Sequence, residues 1–365
     1  MATVVVSETM GEDPVRHQYR SSDRAELFDF LRESLSTDDS ERLIKQWSWR
    51  YEASPFNPAE GPTIDIIRIG TKLVALVAGF RVRMSMGGIE CFGESRGVWL
   101  VHPKHRGHHL WRRVGTLHSP DTPILFGWSR VPGRAAVEDQ WVVERITPLL
   151  RVLDLRSLIE QFTNSRWLSA IGGGVSAAAR LAGELPGHAR GDRSHPVVRL
   201  SSFDDRVDAI FDRARRAHLA MVVRDHRYLN WRYCQRPDAT YMLFGVECGS
   251  ELSGFLVARA CERQGVPWGY IVDFLAPATS GEVLSSLVGQ ALDEFRVIGV
   301  AAVVCFATDP VVRHTLFRHG FFPFPQRRPM HFNRSILAGR NDLAKFAVLR
   351  NWYVTMGDGD LEMAP

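Results

Sequence analysis

The stretch Trp49-Arg50-Tyr51 is followed by three residues and Pro55, and the same frame returns as Trp231-Arg232-Tyr233, three residues and Pro237. The two copies are 182 residues apart in a chain of 365 residues. Tryptophan is scarce, with 10 in the whole chain, so chance does not readily explain the repeat. Because repeats at a fixed offset indicate repeated structural units, we predict two copies of one domain in tandem.

The sequence around each triplet follows one order of elements. Before the triplets, residues 23–35 and 203–216 carry apolar side chains at helical spacing. After them, β-rich runs surround glycine turns at Gly70 and Gly249. Each half then has a strand that ends at a proline, followed by a helix and one more apolar run. These strands cover residues 97–103 and 269–277. The order predicts an α/β fold, in which mixed, mostly antiparallel sheets are flanked by helices.

The size and composition of the chain fit two globular domains. A chain of 365 residues exceeds the size at which a single core usually keeps growing. Its contents of 45% hydrophobic and 24% charged residues are ordinary for a globular protein. Small and flexible residues are concentrated in the middle of the chain. We therefore predict an N-terminal domain at 1–165, a linker at 166–196 and a C-terminal domain at 197–365.

Several classes of protein are disfavoured by the composition. No apolar run approaches the roughly 20 residues that a membrane span needs, and residues 1–6 lack the basic start of a secretory signal. The five cysteines form no CxxC pair, which favours reduced thiols in a cytoplasm. The net charge of +4 includes clusters such as Arg112-Arg113. Without a nucleic-acid-binding signature, we interpret them as solvated surface. The oligomeric state is left open.

The stretch with the clearest chemistry runs from Val101 to Arg113. There a strand stops at Pro103, a basic loop turns at Gly107, and an amphipathic helix begins. The start of a helix offers free backbone amides and the positive end of the helix dipole. Together with Arg106 these groups favour a phosphate or diphosphate.

Residues 98–113 resemble the GNAT superfamily of acyl-CoA-dependent N-acyltransferases. In that family a splayed central strand is followed by an Arg/Gln-x-x-Gly-x-Gly/Ala pattern whose amides hold the coenzyme A pyrophosphate. Pro103, Arg106 and Gly107 match its start, and the order of elements matches in both halves. The resemblance implies two tandem GNAT-like domains, with acetyl-CoA or another acyl-CoA as a substrate. The residues it implies for coenzyme A binding are Val101, Arg106, Gly107, His108, His109 and Leu110.

The chain departs from the family pattern in both halves. The two small positions of the pattern fall on His109 and Trp111. Glycine at such a position lets the backbone approach phosphate closely, so the His109 imidazole either blocks the pocket or adds a donor. The second half lacks the motif, because residues 277–282 contain no arginine and a single glycine. We therefore predict that the second domain is a degenerate copy.

The reaction needs a base and an acid. A bound ammonium must lose a proton before its nitrogen attacks a thioester, and the predicted catalytic base is Glu94, placed just ahead of the central strand. Many GNAT enzymes protonate the leaving thiolate with a tyrosine on a later helix. No tyrosine lies between Tyr51 and Tyr228, and Phe317 stands at the family's position in the second half. Either water or a histidine protonates the thiolate, or the chemistry is lost.

The Trp-Arg-Tyr triplets have two interpretations. The first is a packing clasp between helices and sheet. The second is an acceptor groove lined by Trp49, Tyr51, Trp231 and Tyr233. A metal site is not predicted: His105 and His109 have an i, i+4 spacing, but Gly107 interrupts the helix between them.

The sequence thus predicts an acyl-CoA-dependent N-acyltransferase that acts on a small amine. Two alternatives stay open. One is a Fem-like transfer of an aminoacyl group from charged tRNA, which tandem GNAT-like folds also support. The other is a non-catalytic binding or assembly protein built on two decayed GNAT domains.

Overall fold

The computed structural model describes residues 13–106, 110, 124–128, 141–155, 157–158, 194–277, 280–324, 328–333 and 344–359. Its helices lie against two β-sheets. They are α1 (Arg24–Ser34), α2 (Thr37–Trp47), α3 (Arg206–Ala214), α4 (His226–Leu229), α5 (Gly281–Ile298) and α6 (Pro310–Arg318).

The strands belong mostly to one half or the other. Those of the first half are β1 (Val15–Gln18), β2 (Ile64–Ile69), β3 (Lys72–Met86), β4 (Ile89–Val101), β5 (Leu125–Trp128), β6 (Trp141–Ile146) and β7 (Leu149–Val152). Those of the second half are β8 (Val197–Leu200), β9 (Ala220–Val222), β10 (Met242–Cys248), β11 (Glu251–Arg263), β12 (Val266–Leu275), β13 (Ala302–Cys305), β14 (Phe322–Pro323), β15 (Arg328–Asn333) and β16 (Trp352–Tyr353).

The two halves exchange strands between their sheets. The first has the order β1-β2-β3-β4-β5-β15-β6, with β9 paired to β3 and β16 to β9. The second has the order β14-β7-β13-β12-β11-β10-β8. Thus β7 leaves the first half to pair with β13, and β15 leaves the second half to lie between β5 and β6. Each sheet therefore takes ladder hydrogen bonds from the other half. The boundaries 1–165 and 197–365 stay a prediction, and the sheets cross them at β7, β9, β15 and β16.

Both central hairpins carry a β-bulge at a corresponding place. In the first sheet the β3–β4 register shifts after Ala78, which leaves Gly97 as the extra residue of β4. In the second sheet the β11–β12 register shifts after Val257, which leaves Val272 as the extra residue of β12. A bulge bends its strand and increases the local twist. When the two halves are compared at these bulges, Gly97 of the first half corresponds to Val272 of the second.

The amphipathic helices predicted at residues 23–35 and 203–216 are confirmed, whereas the one predicted after Gly107 lies largely outside the described residues. Helix α1 buries Leu27, Phe30 and Leu31, and α3 buries its own apolar stripe. Helix α5 ends at Gly299, whose φ of 80° is the left-handed conformation that favours glycine at a helix end. In the described ranges, no helix is both long and apolar enough to cross a bilayer. The five cysteines form no disulfide.

Candidate active site at the divergence of two strands

The strands β4 and β5 pair over a short distance and then diverge. Their parallel ladder joins residues 94–96 to residues 125–127. Beyond it, β4 continues along β3 as far as Val101, while β5 pairs on its other side with β15. The Gly97 bulge lies where the ladder ends. In the described part of the chain, no strand pairs with β4 beyond this ladder on the β5 side, and we call this gap in the sheet the first splay.

The first splay is open at Gly97. This residue is exposed, although β4 has a neighbouring strand on each side and Glu94 and Ser95 are buried. A β-carbon added at Gly97 would overlap Tyr51 Oη and lie 3.1 Å from Arg50 Nη2. Glycine inside a strand often marks the close approach of a ligand or another group. The Trp-Arg-Tyr triplet therefore brings two polar side chains to the bulge of the central strand.

The corresponding place in the second sheet, the second splay, is filled. Parallel pairing of β12 with β13 joins residues 268–271 to 302–305, and the strands separate after that. Unlike Gly97, Val272 and Asp273 are 0% and 1% exposed. The chain itself covers them with residues 352–359, which we call the tail segment.

Hydrogen bonds fix the tail segment in the second splay. Tyr353 donates its hydroxyl proton to the carbonyl of Phe274 at 2.7 Å. Arg232 donates from Nε and Nη2 to the carbonyl of Gly357, at 3.2 and 3.0 Å. The triplet arginine of the second half thus holds a backbone carbonyl that lies in the splay.

A buried cluster of charged side chains also lies in the second splay. Arg224 is 0% exposed and lies 3.0 Å from Asp273 and 2.8 Å from Asp358. Burial lowers the pKa of Arg224, but the two carboxylates outweigh it and keep the guanidinium charged. Burial also raises the pKa of Asp358, which Arg224 opposes. Thr355 donates its hydroxyl proton to Asp273 at 2.9 Å. The polar groups of the second splay thus bind one another, which agrees with the prediction of a degenerate half.

The loop after β4 is anchored to α1. His102 Nδ1 accepts the Lys104 amide at 3.2 Å, so the ring proton lies on Nε2, which is 3.2 Å from Glu33 Oε2. A 3-10 turn, Pro103–His105, follows. Because an imidazole bonded at both nitrogens has a fixed orientation, His102 fixes the chain just ahead of the predicted diphosphate loop.

The structure locates three of the six predicted coenzyme residues. Val101 and Leu110 are 0% exposed and belong to one apolar cluster, so only their backbone can face a ligand. Arg106 is exposed, with Nε 3.5 Å from the carbonyl of Val101. Gly107, His108 and His109 lie outside the described residues. The coenzyme site remains a prediction.

The predicted base, Glu94, lies inside β4 and not ahead of it. The β3–β4 turn uses Gly87 and Gly88, so pairing already begins at Ile89. The sequence did not show this because residues 89–96 are mixed polar and apolar without a clear alternation. Glu94 is 0% exposed and lies opposite Arg81 in the ladder. Its catalytic role stays a prediction.

Glu94 and the triplet lie on opposite faces of β4. Side chains alternate along a strand, so Glu94 and its ladder partner Arg81 project to one face, whereas Phe80 and its partner project to the other. The Arg50 guanidinium lies over the Phe80 ring at 5.1 Å.

The two triplets also contact each other across the two halves. Each lies in a single π-helical turn, Ser48–Glu52 or Asn230–Cys234. Trp49 and Trp231 stack with ring centroids 5.2 Å apart, and Tyr51 and Tyr233 are 0% and 3% exposed. The packing interpretation accounts for these contacts, while the acceptor groove stays a prediction. Over the described ranges, no three His, Cys, Asp or Glu side chains are placed to hold a metal ion.

Known proteins resemble this chain in structure. No family model matches it, and no curated protein matches its sequence. A GCN5-related N-acetyltransferase from Anabaena variabilis superposes with a TM-score of 0.57 at 10% identity, over 88% of this chain and 72% of that one. Saccharomyces cerevisiae N-myristoyltransferase with bound myristoyl-CoA gives 0.54 at 12% identity, over 88% and 82%. A GCN5-related N-acetyltransferase from Kribbella flavida gives 0.55 at 12%, over 89% and 72%.

The chain has the GNAT fold. The predicted fold class, mixed α/β with GNAT-like sheets flanked by helices, is confirmed, and the duplication in tandem stays a prediction. Sequence reasoning missed two residues of the first GNAT splay, Gly97 and Arg50. A glycine directly before the apolar run that begins at Val98 was the available signal for a bulge or a close approach. No local signal placed Arg50 beside it.

Proposed function

We propose that this protein is an acyl-CoA-dependent N-acyltransferase that acts on a small amine at the first splay. The observation that carries the proposal is the contrast between the two splays. Gly97 is exposed in the middle of the first sheet, whereas Val272 and Asp273 are buried under the tail segment in the second. A gap kept open in one unit and filled in the other supports a ligand site in the first unit only.

The bound substrate extends from the loop after β4 into the splay. The diphosphate of acetyl-CoA or another acyl-CoA lies at the amides of residues 106–110, with the Arg106 side chain beside it. The thioester reaches the Gly97 bulge through the gap between β4 and β5. The anchored His102 supports this assignment, because it keeps the start of the loop in place without a ligand.

The chemistry is aminolysis of a thioester. The ammonium of the acceptor loses a proton to Glu94, and the amine nitrogen forms a bond to the thioester carbon. The carbonyl π electrons move to the oxygen. When the tetrahedral intermediate collapses, the carbon–sulfur bond breaks, the nitrogen gives up its second proton to water, and the thiolate takes a proton from water. Glu94 supports this scheme by position, since it is the carboxylate of β4 nearest to the bulge.

A thermal-shift screen tests the function against its alternatives. Acetyl-CoA, longer acyl-CoAs, free coenzyme A and charged tRNA are compared on the full chain. We expect the acyl-CoAs and coenzyme A to raise the melting temperature and tRNA to leave it unchanged. Stabilisation by charged tRNA alone would favour the Fem-like alternative. No response to any ligand at millimolar concentration would favour a non-catalytic protein.

Turnover is then followed as thiol release from the best acyl-CoA over a panel of small amines. Glu94→Gln keeps the size of the side chain and removes the base, so we expect the rate to fall about 100-fold or more with ligand binding retained. Glu60→Gln, on the surface ahead of β2, is the control. An unchanged rate in Glu94→Gln would remove Glu94 from the mechanism.

A further inference from the structure

We propose that Trp128 limits the length of the acyl chain that the first splay accepts, and that the tail segment holds its ring in place. The inference rests on the proposed function and adds a specificity determinant to it. The β4–β5 ladder ends where Arg96 pairs with Gly127. Trp128 is the next residue of β5 and therefore lies across the gap from Gly97.

Trp128 projects to one particular face of the first sheet. Ser95 is paired with Phe126 in the parallel ladder and with Phe80 in the antiparallel one, so these three side chains share a face. Trp128 follows Phe126 by two residues and projects to the same face, which is opposite to that of Glu94. In the proposed reaction the acceptor amine comes to Glu94. The face that is left for the acyl chain is therefore the face of Trp128.

The indole of Trp128 offers accessible apolar surface to such a chain. Trp128 is half-buried, and so is Val98, which follows the Gly97 bulge. Both residues pack at the border of the main apolar cluster. Each methylene that a bound chain buries against apolar surface raises its affinity about fourfold. Where the chain meets the indole it finds no further room, so the ring sets the greatest length.

The tail segment fixes the position of this ring. A β-carbon added at Gly359 would overlap Trp128 Cδ1 and Nε1, so the backbone of Gly359 lies against the edge of the indole. Trp128 Nε1 is buried and makes no hydrogen bond within the described part of the chain, so packing alone orients the ring. At the other end of the tail segment, the Trp352 ring contacts Phe126 with centroids 5.2 Å apart. The tail segment thus packs along β5 at both of its ends.

The second splay in turn fixes the end of the tail segment. The Gly359 amide donates to the carbonyl of Met356 at 3.3 Å and closes a 3-10 turn. Within this turn, Asp358 Oδ2 accepts a hydrogen bond from Arg224 Nη2 at 2.8 Å. The buried charges of the second splay thus hold a wall of the first. The degenerate half thereby acquires a role in the reaction of the other half.

The test measures the affinity for acyl-CoAs of increasing chain length by calorimetry on the full chain. Trp128→Leu removes most of the ring and keeps an apolar side chain. It should raise the affinity for hexanoyl-CoA relative to acetyl-CoA about tenfold, because further methylenes become buried. Trp268→Leu is the matched control, since Trp268 is also half-buried and its indole nitrogen makes no hydrogen bond in the described ranges. It should leave the ratio unchanged.

A second variant tests the role of the tail segment. Gly359→Ala places a methyl group against the indole and should change the same ratio, but not in a Trp128→Leu background, where the overlapping atoms are gone. Gly245→Ala is its control, because its β-carbon would lie 2.8 Å from Leu252 Cδ1 in the second sheet, and it should leave the ratio unchanged.

The outcomes separate the inference from the proposed function. An unchanged ratio in both Trp128→Leu and Gly359→Ala overturns the inference alone. A change in Trp128→Leu without one in Gly359→Ala overturns the role of the tail segment. If the unaltered protein binds no acyl-CoA, the proposed function fails as well.

Discussion

Trp49 and Trp231 each donate the indole proton to the backbone carbonyl of the other. The bond from Trp49 Nε1 to Trp231 O is 2.8 Å long, and the bond from Trp231 Nε1 to Trp49 O is 3.1 Å long. Mutual contacts of this kind are the mark of a two-fold axis between subunits. Here they occur inside one chain and fix the register of its two halves.

Equal responses to Trp49→Phe and Trp231→Phe are expected, because each substitution removes one of two reciprocal bonds between buried groups. We expect each to lower the free energy of unfolding by about 1–3 kcal/mol. The measurement is urea denaturation of both variants and of the double variant. Because the two rings stack, the double variant should differ from the sum by about 0.5–3 kcal/mol. Strict additivity would show that the two sites are independent.

The packing of the tail segment gives a second prediction. A β-carbon at Gly357 would overlap Tyr233 Oη, which is held by Asp273. We therefore expect Gly357→Ala to destabilise the protein by roughly 1–3 kcal/mol through overpacking. In a Tyr233→Phe background the same substitution should cost less, because the overlapping oxygen is gone. Equal destabilisation in both backgrounds, measured by thermal denaturation, would show that a β-carbon at position 357 does not overlap the Tyr233 hydroxyl.

A third prediction concerns the pH dependence of stability. Burial, followed by the charge of Arg151, lowers the pKa of His319 to about 4, and its Nε2 lies 2.9 Å from Ser285 Oγ. Between pH 4 and the unfolded value near 6.5, the unfolded chain binds a proton that the folded chain does not. Stability should thus fall as the pH drops through this window, by up to about 1.4 kcal/mol per pH unit.

Denaturation at pH 5, 6 and 7 measures this slope. His319→Gln removes the titrating group, so the slope should become shallower while the stability at pH 7 reflects only the lost packing. His17→Gln, in which an exposed histidine is changed, is the control. An identical slope in His319→Gln would show that other groups cause it.

The coenzyme site gives a fourth prediction. Arg106→Ala should weaken coenzyme A binding by about 1–3 kcal/mol, the value of a charged hydrogen bond. Arg216→Ala, an exposed arginine after α3, should leave it unchanged. Titrations at two salt concentrations measure both, since an ionic contact should weaken with salt. Equal loss in both variants would indicate general charge attraction and no specific site at Arg106.

Local patterns sufficed for much of the fold. The helical spacing of apolar residues predicted α1 and α3, and Pro103 correctly indicated the end of β4. The exchange of β7 and β15 was not predictable, because a short apolar strand has the same local pattern whichever sheet it joins. The limits of β4 were missed because residues 89–96 carry no clear period.

The candidate site was predictable only in part. Arg106 and Glu94 stood out as charged residues close to a strand in a recognisable pattern. The approach of Tyr51 to Gly97 was not predictable, because it joins residues that only the tertiary fold brings together. The same holds for the tail segment, whose contacts with Asp273 span 82 residues of sequence.

Calorimetric titration of the full chain with acetyl-CoA most directly tests the central claim, which is that only the first splay binds an acyl-CoA. The account predicts saturable binding with one site per chain, because the second splay is occupied by the tail segment. Two sites per chain, or no binding at millimolar ligand, would contradict it.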